Sequence, residues 1–202
     1  MKKILNTLFI TVFAVMLTTG LVSCGNKLSA EEITEILGTN YLPTEYVITE
    51  YALDMTDLKQ VVGDADYVFV CKTKGYLSTE YNSDDIPTTR YTIEVIENIK
   101  GELKAGEDIV LRKAGGIKKN HKSFYLYSDD SLPKVNHYYI VSVYGQPSGD
   151  ILACGENTNI ALASIENYKT DINYTNILEA YENEIVSNRT RYKSKYDVNF
   201  RG

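Results

Sequence analysis

Hydrophobic and polar positions change period along this chain, and the changes divide it into elements. From Ile4 to Val22 the run is apolar, broken only by Asn6, a few threonines and Gly20. Ser29-Ala30-Glu31-Glu32 has capping-box spacing, with Ile33, Ile36 and Leu37 on one face behind it and Gly38 as a stop, which predicts a short helix. Tyr46-Val47-Ile48-Thr49 favours a strand after Pro43. Asp54 to Val62 predicts a second short helix, capped by Asp54 or Thr56, with Leu58, Val61 and Val62 apolar.

Beyond residue 65 the period becomes two. Asp66-Tyr67-Val68-Phe69-Val70-Cys71 is apolar on both faces, as in a strand covered on both sides. A polar loop is expected from Ser78 to Pro87. Tyr91-Thr92-Ile93-Glu94-Val95 alternates cleanly, with Tyr91, Ile93 and Val95 inward. A turn over 100–106 leads to Ile109-Val110-Leu111, and Gly115-Gly116 opens a basic loop. Further strands are expected at Tyr138 to Tyr144, Asp150 to Ala153 and Ile160 to Ala163. Thr175 to Ser187 predicts a helix with Ile177, Leu178, Tyr181 and Ile185 on one face, and the polar, basic tail from Asn188 to Gly202 is expected to be poorly ordered.

The N-terminal run ends in Leu21-Val22-Ser23-Cys24, behind the basic Lys2 and Lys3. This arrangement resembles the signal peptide and lipobox of bacterial lipoproteins, in which the cysteine is acylated and becomes the new N-terminus. The alternative is an uncleaved membrane anchor, since about 18 apolar residues just span a bilayer. Thr18-Thr19-Gly20 and the placement of Cys24 favour the lipoprotein. The expected organisation is therefore a signal peptide (1–23), a tether and N-terminal extension (24–53), a barrel domain (54–165), and a C-terminal helix with a polar tail (166–202). The protein is expected at the cell membrane, lipid-anchored through Cys24, on the extracytoplasmic face.

Composition narrows the partners. Losing residues 1–23 removes two lysines and no acid, leaving 19 basic against 27 acidic residues and a formal charge of −8. Such an acidic ectodomain argues against nucleic acid and would steer cationic peptides towards the cell. Seventeen tyrosines, five phenylalanines and no tryptophan fit strands with half-wet faces, either as core or as a tyrosine-lined binding surface. With Cys24 lipidated, Cys71 and Cys154 are either a disulfide, closing a loop worth roughly 4 kcal/mol on the chain-entropy model, or two buried thiols.

The strand order resembles a known architecture. Ala65-Asp66 before a Val-rich strand, a Tyr-x-Ile-x-Val strand ending in Lys100-Gly101, the Gly-Gly loop, Leu132-Pro133-x-Val135 and the Tyr-Tyr-Ile-Val-Ser-Val strand resemble the OB-like barrel of exported Gram-positive proteins, similar in outline to netrin and tissue-metalloproteinase-inhibitor modules. The resemblance covers about residues 54–165. It implies an α+β, mainly β protein: a five-stranded antiparallel barrel with a short N-terminal and a C-terminal helix, and no fixed function. The inhibitors of that group chelate a protease zinc through a free N-terminal cysteine amine. Acylation of Cys24 would block that amine, and a flexible stretch of roughly 40 residues before the Cys71 strand would not hold it in place.

Chemistry-bearing motifs are few. His121 and His137 are the only histidines, and no HxxxH or CxxC spacing suggests a metal. No cofactor is implied, and no nucleophile signature is present. Asp84-Asp85 and Asp129-Asp130-Ser131 match no calcium loop and are expected to be solvated loop acids. One charge feature rises above background: Arg112, Lys113, Lys118, Lys119 and Lys122, with no acid between Ile109 and Tyr127. Backbone amides at Gly115-Gly116 would add to an anion-binding concavity; the alternative is a solvated hairpin tip. The expected function is a non-enzymatic surface module that binds a protein, peptide or cell-wall polyanion. Alternatives are an immunity lipoprotein that sequesters a toxin or antimicrobial peptide, and an enzyme whose site is assembled from scattered residues.

Overall fold

The computed structural model describes residues 28–39 and 41–201; the apolar run, the lipobox and Cys24 lie outside the described residues. The elements are α1 (Ala30–Thr39), β1 (Thr44–Val47), α2 (Leu58–Asp64), β2 (Tyr67–Tyr81), β3 (Pro87–Lys100), β4 (Asp108–Ala114), β5 (Gly116–Ile117), β6 (Phe124–Tyr127), β7 (Tyr138–Gly145), β8 (Ile151–Ala153), β9 (Asn159–Leu162) and α3 (Ile172–Glu182). No helix among the described residues is long and apolar enough to cross a membrane.

Five strands close on themselves. β2 pairs with β3, β3 with β4, β4 with β8, β8 with β7, and β7 back with β2. All contacts are antiparallel except β4 with β8. This is the expected mainly β, OB-like barrel flanked by helices. β2 is longer than its apolar run suggests, and the expected loop from Ser78 shrinks to 82–86 because polar residues pair with β3 as far as Tyr81. Four register shifts in that pairing let so long a strand curl around the barrel.

The apolar character of β2 on both faces has a plain cause. Tyr67, Phe69 and Cys71 point into the barrel, with Tyr91, Ile93 and Val95 of β3. Val68 and Val70 point outward, into a second core formed with Val62 of α2 and Tyr174, Ile177 and Ala180 of α3. α2 is capped by Asp57, whose side chain accepts from the Lys59 amide, not by Asp54 or Thr56; Asp54 instead caps the turn before it. α3 starts at the Asp171 cap, earlier than the pattern suggests, and ends at Asn183, so Ile185 lies outside the helix.

Two segments differ more sharply from expectation. The stretch before residue 54 is not simply a tether: α1 buries Ile36 and Leu37 in the barrel core, and β1 pairs in parallel with β6. The C-terminal tail is not loose either. Arg189 and Arg191 bond to the carbonyl oxygens of Gly63, Asp64 and Ala65 at the end of α2, groups that a helix terminus leaves without partners. They also pair with the Asp64 and Asp66 carboxylates. The tail then fills grooves floored by glycine. A β-carbon at Gly63 would strike the Ile185 carbonyl, and one at Gly145 the Tyr192 carbonyl. Ser194 is buried where its amide donates to the Tyr67 hydroxyl, and Val198 donates to the Glu102 carbonyl. Basic residues look solvent-bound by composition; here they are helix caps.

Candidate functional site

The basic stretch does not form one patch. Arg112 on β4 pairs with Glu80 at 3.0 Å and Asp150 at 3.7 Å, Lys118 with Glu45 at 2.8 Å, and Lys119 with Asp85 at 2.8 Å. The acids come from β1, β2, the 82–86 turn and the β7–β8 turn, so a local run of cations becomes a mixed surface. The Gly115 amide is taken by the Pro87 carbonyl, and the Gly115 carbonyl accepts from Thr89, so this backbone is committed to the sheet. Lys122 stays exposed. Lys113 points the other way altogether.

The Lys113 side chain is fully buried, and its ammonium lies 2.6 and 2.5 Å from the two oxygens of Asp130. Asp130 is thus no solvated loop acid. It also accepts from the amides of Ser131 at 2.7 Å and Gly155 at 3.1 Å. Burial holds the Lys113 ammonium below its ordinary value and the Asp130 carboxyl above its own, each against the attraction of the partner. Cys154 stands close by, its thiol raised by burial. Cys71 lies in the barrel core, where burial raises its thiol as well. Both thiols are free, so the candidate disulfide is not formed, and burial keeps both protonated.

The feature with the shape of a binding site is elsewhere. β4 continues through the Gly115-Gly116 bend into a small sheet ordered β5-β6-β1, which carries the barrel wall onward. On the other side the wall ends at β9, paired to β7 only. Between them lies a cleft of about 610 Å³. Thr44, Tyr46, Phe124 and Leu126 line it from the small sheet, and Tyr139, Asn159 and Ala161 from the barrel. Its rim is the 130–137 loop, including Leu132, Lys134 and His137. Its volume is within the usual range for ligand sites, about 300–1,000 Å³.

Among the described residues, β1 presents a free edge to the cleft and β9 a partly covered one. Phe124 donates to the Pro43 carbonyl and Ser128 to the Val47 carbonyl. The alternation of a parallel pair therefore turns the main-chain groups of Glu45 and Val47 to β6, and those of Thr44 and Tyr46 away. On β9, Ser142 donates to Thr158, so Ile160 and Leu162 face β7 while Asn159 and Ala161 face away. The Ala161 carbonyl is covered by the Asn173 side chain. Asn159, only 7% exposed, donates to Ser131 through its amide nitrogen, but its side-chain oxygen has no hydrogen-bond partner. Large apolar side chains stand exposed on and beside β1: Tyr46 in the strand, Tyr41 before it and Ile48 after it. His137 bonds to the Val135 carbonyl through Nδ1, leaving Nε2 as its second polar atom.

The sequence places His137 at a strand start but does not assemble the cleft. β6 is short, and β1 meets it between residues far apart in the chain, Thr44 beside Phe124, with no local signal. Among the described residues no group of three or more His, Cys, Asp or Glu side chains stands ready for a metal ion. No family profile matches the chain, and no curated protein matches it in sequence.

Proposed function

We propose that this chain is a lipid-anchored, extracytoplasmic binding module whose ligand enters the cleft between β1 and β9. The observation that carries the reading is the gap beside the closed barrel, where the small sheet and β9 do not meet and the cleft opens onto unpaired main-chain groups and exposed tyrosine. Cys24, at the end of a lipobox-like sequence, supplies the anchor. Binding rather than chemistry is favoured because the one carboxylate among the cleft's lining residues, Asp130, is committed to the buried Lys113. The net acidity of the ectodomain keeps it away from nucleic acid.

The test uses thiol labelling of the full chain with Cys154 replaced by Ser. Ala161→Cys places a thiol in the cleft, and Ser83→Cys one on the exposed 82–86 turn. A membrane-impermeant maleimide should label the turn thiol in intact cells as fast as in detergent solution. The cleft thiol should be labelled several times more slowly in cells, where the ligand is present. Failure to label either thiol in intact cells would overturn the location, and equal rates for the cleft thiol in both settings would overturn the cleft.

A further inference from the structure

The cleft has a feature that a pocket for a compact ligand would not need. Its two long sides are strand edges, and the groups left unpaired on β1 among the described residues are the amides and carbonyls of Thr44 and Tyr46. Proteins normally guard such an edge with an inward charge or a covering segment. The charge on β1, Glu45, belongs to the opposite face, where it bonds to Lys118 and Ser123. Among the described residues β1 is therefore short but otherwise unguarded, with Tyr41, Tyr46 and Ile48 exposed beside it.

Resting on the cleft reading above, we propose that the occupant is an extended peptide segment of a partner protein, which adds as a strand to the free edge of β1 and fills the gap between the small sheet and β9. Strand addition draws affinity from main-chain bonds and specificity from alternate side chains. The side of the inserted strand facing the barrel would meet Phe124, Leu126 and Tyr139, and so should be apolar. Lys134 at the rim enters none of the ion pairs among the described residues, and His137 lines the cleft with it. An acidic side chain in the segment matches these two. The preferred ligand class is thus an extended peptide, apolar at alternate positions and acidic at one end.

The main-chain geometry gives a control with little cost to folding. The Tyr46 amide makes no bond to β6, so Tyr46→Pro removes an edge donor without removing a bond internal to the fold, and proline is tolerated at such edge positions. The experiment selects displayed random heptapeptides on the full chain in detergent micelles, then measures synthetic versions by titration. Selected sequences should alternate and carry Asp or Glu. N-methylation of one alternate set of peptide amides should weaken binding at least about tenfold while the other set changes it little, because only every second amide faces a neighbouring strand. Tyr46→Pro should weaken binding to a similar extent. Peptides that tolerate N-methylation everywhere and bind the Tyr46→Pro chain unchanged would overturn strand addition; if Ala161→Arg still abolishes their binding, the cleft itself stands. Peptides indifferent to Ala161→Arg as well would overturn both. Self-association of the chain that Tyr46→Pro abolishes, with no peptide selected, would make the occupant a second copy and overturn the partner peptide.

Discussion

The ammonium of Lys113 on β4 and the carboxylate of Asp130, in the loop after β6, form an ion pair with both side chains out of reach of solvent. Each is stabilised only by the other and a few polar neighbours. Removing one partner leaves an uncompensated buried charge. Lys113→Ala or Asp130→Ala should therefore destabilise the chain by about 3–5 kcal/mol. Replacing both at once, Lys113→Met with Asp130→Leu, should cost clearly less than the two single changes combined. Urea unfolding of the three variants checks this; additive losses would mean the pair is not coupled.

The C-terminal strap gives the second expectation. Arg191 donates to three carbonyls at the end of α2, so Arg191→Ala should cost about 1.5–3 kcal/mol, the range for bonds made by a charged group. Gly63→Ala forces the Ile185 backbone away and should cost roughly 1–3 kcal/mol by overpacking. Thermal unfolding of both variants is the measurement, and wild-type stability in either would mean that the strap is dispensable.

Acid sensitivity should trace in part to Glu97. Burial would raise its carboxyl, but bonds from Tyr168, Tyr174 and Lys169 outweigh that and hold it below its ordinary value. Burial, together with the bond to Glu97, raises the Tyr174 hydroxyl to about 12, so it stays a donor throughout the acid range. A carboxyl lowered in the folded state gives stability that is present above its unfolded value, near pH 4.5, and lost as pH falls through the folded value. Glu97→Gln should flatten the fall in stability below about pH 4.5, while Tyr174→Phe should cost about 1 kcal/mol at neutral pH. An unchanged acid limb in Glu97→Gln would count against this assignment.

For the basic loop, replacing Lys118, Lys119 and Lys122 with Ser removes two exposed ion pairs, each worth about 0–1 kcal/mol. Membrane association of the full chain should be unaffected, because the proposed anchor is Cys24. Cys24→Ala should instead release the protein or leave an unprocessed precursor. Fractionation of cells expressing each variant distinguishes them, and loss of association in the lysine variant would restore the loop as an anion site.

The barrel was legible because its strands alternate: Tyr91, Ile93 and Val95 face inward as their spacing demands, and the doubly apolar run at Tyr67 to Cys71 meets a core on each side. Among the loop acids Asp84, Asp85 and Asp129 are exposed as expected, but Asp130 and the cations were not legible, since Lys113 and Lys118 look alike in sequence. Only the strand's alternation turns one inward, and only the fold brings Asp130 to meet it. The tail resisted for a similar reason, because Arg189 and Arg191 cap a helix that lies far earlier in the chain and leave no local pattern. The cleft was hidden further still: its edges belong to β1 and β9, joined by nothing in the sequence.

Amide hydrogen exchange along β1 reads out strand addition at the cleft residue by residue. In the purified chain, the Glu45 and Val47 amides should be protected by β6, while those of Thr44 and Tyr46 exchange freely. Adding a selected acidic peptide at saturating concentration should slow exchange at Thr44 and Tyr46 specifically and leave the β3–β4 surface unchanged. Exchange at Thr44 and Tyr46 that stays fast with peptide bound, or protection that appears on β3 and β4 instead, would rule out a strand added at β1.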